Sequence, residues 1–167
     1  MNAKVGYIFW AILPFLFLTS CFKGENYPVE PIISEPLFAA SGDSAVLTFS
    51  FTDGDGDIGL DDSEVSPPYD TASKYHYNLY VDYYEKDDVN GWQRGKDIAG
   101  DSIVFKYRLE PIIIKGKNRG IKGTMDVAMN NYYNPFSDQS DTIRYRIQLI
   151  DRALNESNYL ETDMITR

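Results

Sequence analysis

Apolar and polar residues alternate with a period of two along most of this chain. In residues 142–150, Ile143, Tyr145, Ile147 and Leu149 share one face, and the residues between them are polar. Such alternation is typical of strands with one buried face. No amphipathic helix longer than a few turns is evident, so the pattern predicts a fold built from strands.

The same pattern predicts eight strands and one domain over residues 30–167. The predicted strands cover residues 30–38, 45–52, 75–84, 102–109, 111–115, 121–129, 142–150 and 158–165. The stretch "KGKNRG", residues 115–120, is typical of a hairpin turn. Seven or eight strands without helices between them indicate an antiparallel β-sandwich.

One local pattern assigns the strands within that sandwich. The stretch "DTIRYRI", residues 141–147, resembles strand F of immunoglobulin-like domains, in which a tyrosine bonds back to the backbone at a tyrosine corner. The resemblance implies an immunoglobulin-like sandwich, with residues 45–51 as strand B, 75–84 as strand C and 158–165 as strand G. The loops after strands B and F would then meet at one end.

The start of the chain is typical of a lipoprotein signal peptide covering residues 1–20. An apolar run over residues 5–18 is shorter than a membrane-spanning helix, and "LTSC", residues 18–21, resembles the lipobox of bacterial lipoproteins. The resemblance implies cleavage before Cys21 and lipid attachment to its sulfur. The alternative is an ordinary secretory signal with an incidental cysteine. Residues 21–29 would form a polar tether to the domain.

The charge and the cysteine content of the chain restrict the classes of partner that it could bind. Cys21 is the only cysteine, so a lipidated chain would have no disulfide and no free thiol. The chain carries 16 basic and 25 acidic side chains, a formal charge of −9. Such a balance repels nucleic acid and anionic lipid headgroups. We therefore expect no nucleic-acid binding, and membrane attachment through lipid on Cys21 alone.

The densest cluster of candidate ligands follows the second predicted strand. In "FTDGDGDIG", residues 51–59, Asp53, Asp55 and Asp57 alternate with glycines, and Asp151 lies in the loop after strand F. Alternating aspartates can turn several carboxylates toward one centre, an arrangement that calcium favours because it takes six to eight oxygen ligands. The alternative is a solvated Gly-Asp turn. Repulsion among crowded carboxylates favours the calcium interpretation.

The loop is not an EF-hand, although Glu64 stands twelve positions along from Asp53. Ile58 occupies the sixth position, where the EF-hand needs glycine, and a strand precedes the loop. We therefore keep the aspartates as candidate ligands and doubt Glu64.

Aromatic residues are the second group of candidate binding residues. Tyr80 and Tyr84 would face outward on strand C, and Trp92 lies in an apparent loop, so these three are possible contacts for a glycan or a protein. His76 is the only histidine, and no catalytic motif surrounds it. We predict that the chain is not an enzyme; a hydrolase based on paired carboxylates is a distant third hypothesis.

Taken together, the lipobox, the tether, the "DGDGDIG" loop and "DRALNES" before the last strand resemble a group of small uncharacterised Gram-negative lipoproteins with immunoglobulin-like domains. The resemblance implies a location at the outer membrane or cell surface. The leading hypothesis is a lipid-anchored binding or scaffolding domain with a calcium-stabilised loop. The alternative is a glycan-binding accessory lipoprotein that uses exposed aromatic residues.

Overall fold

The computed structural model describes residues 26–113 and 120–167. The predicted signal peptide, Cys21 and residues 115–119 of the predicted turn lie outside the described residues. These described residues form nine strands: β1 (Ile32–Ser41), β2 (Ser44–Asp53), β3 (Leu79–Asp87), β4 (Gly91–Arg94), β5 (Val104–Tyr107), β6 (Ile121–Asn130), β7 (Thr142–Leu149), β8 (Leu160–Glu161) and β9 (Ile165–Thr166). The described part of the chain has one helical element, the 3₁₀ turn Lys74–His76, and no helix long and apolar enough to cross a membrane.

The strands form two antiparallel sheets. One has the order β1-β2-β6, and the other has the order β4-β3-β7-β8, with β5 pairing along β3 and β9 along β7. Strands B, C, F and G of the sequence assignment correspond to β2, β3, β7 and β8. The predicted antiparallel β-sandwich is confirmed, and C, F and G are neighbours in one sheet while B lies in the other, as the strand assignment predicts.

The two sheets enclose a single core. The inward faces of β2 and β7 contribute alternate residues, such as Leu47 and Phe49 from one sheet and Tyr145 and Ile147 from the other, all fully buried. Large apolar side chains excluded from water in this way supply most of the stabilisation of a domain of this size. The sequence periodicity arises from this division into an inner and an outer face.

Tyr145 has the role that its sequence pattern predicts. Its ring is buried between the sheets, and its hydroxyl donates to the main-chain carbonyl of Tyr132, upstream of β7. Burial raises the pKa of this phenol far above its usual range. The hydroxyl therefore fixes the segment that enters β7, as in a tyrosine corner.

Three predicted strands are wrong in their bounds or existence. The strand predicted at 75–84 begins only at Leu79, because Ser73 caps the 3₁₀ turn at residues 74–76 by accepting from the amide of Tyr75. Residues 111–113 of the strand predicted at 111–115 form no strand; the amide of Ile112 instead donates to the carbonyl of Ile58. The strand predicted at 158–165 is divided into β8 and β9.

The sequence pattern did not predict strand β4, and Trp92 was therefore assigned to a loop. Asp87 accepts hydrogen bonds from the amides of Val89 and Asn90, and Gly91 has a positive φ, so the chain turns tightly and returns along β3. Trp92 therefore lies half-buried in a strand, and its prediction as a loop residue is wrong. Four residues are too few to show alternation.

Candidate metal site

The loops that follow β2 and β7 meet at one end of the sandwich and bring four aspartates together. Asp53 ends β2, Asp55 and Asp57 follow it, and Asp151 comes two residues after β7. One carboxylate oxygen from each of the four lies within 4.8 Å of the others. Asp151, which lies 94 residues or more from the other three aspartates in sequence, thus faces the same small volume.

The carboxylate of Asp53 organises the first loop. It is completely buried and accepts hydrogen bonds from the amides of Asp55 at 3.4 Å and Asp57 at 3.1 Å. The backbone curls around this carboxylate, and Gly56 adopts a φ of 68°, a conformation that costs glycine little. The alternating aspartates are therefore turned inward.

The carboxylate of Asp151 organises the second loop. It is 2% exposed and accepts from the amide of Asn155 at 2.7 Å and from its side-chain nitrogen at 2.8 Å. The amide of Ala153 donates to Oδ2 of Asp57 at 3.0 Å, and the amide of Arg152 donates to its carbonyl oxygen at 3.2 Å. These bonds hold the two loops against each other.

Two carboxylate oxygens at the centre have no hydrogen-bond partner within the described part of the chain. Oδ1 of Asp55 and Oδ1 of Asp57 are buried and accept no hydrogen bond from any described residue. Buried polar atoms in native proteins are almost always paired, because removing an unpaired one from water is unfavourable. These two oxygens are therefore the strongest local indication of an additional group.

Burial and mutual repulsion raise the pKa of three of the carboxyls. The pKa of Asp53 rises to about 6, through burial first and then through its interaction with Asp55 and the charge of Asp57. The pKa of Asp57 also rises to about 6, through burial first and then the charges of Asp151 and Asp55. Burial raises the pKa of Asp151 as well. The site thus favours added positive charge.

The positive charge of Arg152 compensates little of this negative charge. Arg152 lowers the pKa of Asp57 only as a minor influence. Its guanidinium instead pairs with Glu64 at 3.4 Å and donates to the carbonyl of Gly59 at 3.3 Å. Glu64 therefore faces Arg152, and it is absent from the cluster of four aspartates.

The chemistry of these ligands favours a hard cation. Carboxylates alone suit calcium, magnesium or manganese, whereas zinc sites in proteins usually include histidine or cysteine. The four residues supply at least four oxygens, fewer than the six to eight that calcium takes, so water or main-chain carbonyls would complete the shell. Binding of calcium by these residues stays a prediction.

The cluster lies at the end of the domain where the tether enters, which the sequence did not indicate. A Cβ built on Gly54 would lie 2.4 Å from the carbonyl oxygen of Tyr27 and 2.5 Å from that of Pro28. Only glycine allows the loop and the tether to approach so closely. The candidate site is therefore in direct contact with the segment that leads toward Cys21.

The three aromatic candidates lie on a different surface. Tyr80 and Tyr84 are on β3 and Trp92 is on β4, all on the outer face of the larger sheet. Tyr84 is only 8% exposed, and the hydroxyl of Tyr80 donates to the carbonyl of Lys74. Tyr84 therefore faces outward as predicted, but Arg144 and Arg146 lie against its ring and leave it little exposed.

His76 gives much less indication of a functional site than the aspartates do. Its Nδ1 lies 3.1 Å from the carbonyl oxygen of Tyr69, and its ring packs against Tyr77. Within the described part of the chain, its hydrogen bonds join it to no carboxylate. The prediction that the protein is not an enzyme stays a prediction.

Comparisons of the chain with protein-family models, curated proteins and solved structures found no match.

Proposed function

We propose that this protein is a binding or scaffolding domain of the cell envelope, anchored through lipid on Cys21 and stabilised at its tethered end by calcium. The four-aspartate cluster carries the proposal. Its oxygens converge from two loops, two of them are buried without a partner among the described residues, and Arg152 pairs with Glu64 instead. A divalent cation would relieve the repulsion and connect both loops at once.

The expected affinity is modest. Extracellular calcium modules of this kind have dissociation constants of about 10⁻⁴ to 10⁻³ M. At a tenfold excess of calcium over that constant, binding adds about 1.4 kcal/mol to the free energy of unfolding. For a domain of this size, the melting temperature should rise by a few degrees.

The test compares thermal melting in EDTA with melting in several millimolar calcium, at fixed ionic strength so that general screening is not mistaken for binding. We expect the calcium shift in the natural protein and its loss in the double variant Asp55→Asn/Asp57→Asn. The matched control is Asp61→Asn/Asp62→Asn, which removes the same charge from the same loop outside the cluster. No calcium-specific shift in the natural protein would leave the loop a solvated turn.

The anchor is tested separately. The lipobox-like residues 18–21 support lipidation of Cys21, and the Pro-bearing residues that follow support a tether. We expect Cys21→Ala to abolish partition into the detergent phase, with Ser20→Ala as the control for an adjacent change. Unchanged partition and processing of Cys21→Ala would reject the anchor without affecting the calcium site.

Glycan binding remains the second candidate function, and the charge of the outer sheet face favours it. The simple form of this hypothesis required freely exposed aromatic rings, but Tyr84 is nearly buried and Trp92 is half-buried. The face that contains them nevertheless has a strongly basic composition, which indicates a more specific ligand.

A further inference from the structure

The outer face of the larger sheet concentrates positive charge on an acidic protein. The alternation of the paired strands places five cations on this face: Lys86, Arg94, Lys106, Arg144 and Arg146. The acidic strand residues on the same face are Asp82 and Glu161. Five cations less two acids give a net +3, whereas the whole chain has a charge of −9. This face is therefore suited to an anionic partner.

Aromatic rings lie in cation–π contact with the arginines of this face. The guanidinium of Arg144 lies 4.5 Å from the ring centre of Trp92 and 5.6 Å from that of Tyr84. Arg146 continues the row, 5.1 Å from Tyr84 and 4.8 Å from Tyr159. Such cation–π contacts stabilise a guanidinium, and here they bury Nε of Arg144 and of Arg146. The rings thus act as supports for cations.

These arginines retain donors for a ligand. Nη2 of Arg146 donates to Asp82 at 3.1 Å, and Nη1 of Arg144 pairs with Glu161 at 2.9 Å. A guanidinium has five N–H donors in a planar fork that matches a carboxylate. Because Nε of each arginine is buried, the donors left for a ligand are the terminal N–H groups that are not used in these pairs.

The row of arginines leads to an open groove of about 670 Å³ at the end of the sheet nearer the tether. Tyr77, Tyr80 and Tyr159 line it together with Gln148 and Lys106. Among the described residues, Lys106 has no ion-pair partner. The pair between Lys74 and Glu156 at the rim, 3.2 Å apart, adds no net charge. In this groove the amide of Gln148 donates to Glu156 at 3.2 Å and the hydroxyl of Tyr80 to the carbonyl of Lys74, so Lys106 and the hydroxyls of Tyr77 and Tyr159 are the groups left for a ligand.

We propose that this face binds a carboxylate-bearing polysaccharide, with chain units in the groove and further carboxylates along the arginine row. The net positive charge of the face complements a polyanion. A protein partner would need an apolar interface centre, and here guanidinium groups cover the large rings. A lipid surface would need a protruding apolar side chain, whereas Trp92 is packed beneath Arg144.

The proposal names the partner of the proposed binding domain, but it does not depend on the calcium site. The test uses the full-length protein in neutral detergent micelles and polygalacturonate as the probe, with binding measured by titration calorimetry. EDTA is present throughout so that calcium cannot bridge carboxylates of the protein and the polysaccharide. Failure here would leave the calcium-dependent melting and the Cys21 result unaffected.

The test variant is Lys86→Glu/Lys106→Glu, because neither lysine has an ion-pair partner among the described residues and neither stacks on a ring. The matched control is Lys122→Glu/Thr124→Glu/Val46→Glu, which changes the net charge equally at exposed positions of β6 and β2 in the smaller sheet. We expect the test variant to bind polygalacturonate at least about tenfold more weakly and the control to bind within about twofold of the natural protein. Thermal melting checks that both variants fold.

The fully methyl-esterified polymer, which has lost its charge, should bind at least about tenfold more weakly than polygalacturonate. Equal weakening by the two variants would indicate a general charge effect and overturn the proposal. Equally tight binding of an oligothymidylate, or of vesicles containing anionic lipid, would overturn the choice of polysaccharide. Absence of polygalacturonate binding at low salt would overturn the proposal as a whole.

Discussion

The aspartate cluster and the outer face of the larger sheet both crowd like charges, but only on the outer face do counterions among the described residues pair with part of that charge. On the outer face, Oδ2 of Asp82 accepts from Arg94 at 2.5 Å and from Arg146 at 3.1 Å, and the rings stabilise the guanidiniums further. In the cluster, Asp55 and Asp57 each keep a buried oxygen without a partner among the described residues.

The two regions thus differ in how like charges affect the stability of the fold: on the outer face the charges are partly paired, whereas in the cluster they require an additional group. A charge network with its counterions inside the fold contributes stability by itself. A buried network of one sign opposes folding unless protons or a cation enter it. The same chemical change, aspartate to asparagine, should therefore have opposite effects on stability in the two regions.

The largest effect is expected from Asp151→Ala, about 3 kcal/mol of destabilisation measured in EDTA. The buried Asp151 carboxylate accepts two short bonds from Asn155, and charge-assisted bonds of this kind contribute about 1.5 to 3 kcal/mol each. Relief of repulsion with Asp57 offsets part of the loss. Denaturant unfolding should show the destabilisation, and calcium should no longer raise the melting temperature.

Asp126→Ala is the matched control for Asp151→Ala. Asp126 is an exposed aspartate on β6 that accepts a single hydrogen bond, from Thr48. Its loss should change the free energy of unfolding by no more than about 0.5 kcal/mol. An equally small effect of Asp151→Ala would show that its carboxylate does not hold the loop.

The next effect concerns pH in the absence of calcium. The pKa values of Asp53 and Asp57 are about 6 in the folded protein and 3.8 when unperturbed, so the folded state binds protons more tightly between these values. The free energy of unfolding should therefore fall as pH rises through this window, by about 1 to 2 kcal/mol because the two carboxyls share their repulsion. Melting in EDTA from pH 4.5 to 7 measures it.

Calcium should oppose that pH dependence. The cation keeps the carboxylates ionised, so calcium should stabilise the protein more at pH 7 than at pH 5. Asp57→Asn should flatten the slope in EDTA. A free energy of unfolding that rises with pH through this window would contradict the proposed electrostatics of the cluster.

The fold was largely predictable because one physical signal repeats along most strands. In β7 and β2 the alternation of apolar and polar residues shows which face of the strand is turned to the core. The "DTIRYRI" pattern identified strand F. The errors occur where local hydrogen bonds override that signal. Ser73 caps a 3₁₀ turn inside a run that alternates like a strand, and Asp87 forms a turn whose returning strand is only four residues long.

The candidate site was predictable in part for a related reason. The spacing of Asp53, Asp55 and Asp57 is local, and placing Asp151 beside them required only the topology. By contrast, the contact of Gly54 with the tether and the arginine row over Trp92 and Tyr84 depend on register between distant strands. A one-residue shift in that register would place these side chains on the other face.

The smallest expected effects test whether an aspartate-to-asparagine change alters the free energy of unfolding in opposite directions in the two regions. We expect Asp82→Asn to destabilise the protein by about 1 kcal/mol in EDTA, because it weakens two ion pairs that are only partly exposed. In the same buffer, Asp55→Asn/Asp57→Asn should leave the free energy of unfolding unchanged or raise it, because the amides relieve repulsion around Asp53. Urea unfolding of both variants at pH 7 provides the comparison.

Salt provides the control for these two variants. At 1 M ionic strength exposed charge interactions are largely screened, so the loss in Asp82→Asn should shrink. The gain in Asp55→Asn/Asp57→Asn should persist more fully, since the repulsion it removes lies between buried oxygens. If both variants destabilise the protein to the same extent in EDTA, the carboxylates of the cluster stabilise the loop even without a cation. The unpartnered oxygens of Asp55 and Asp57 would then require no metal.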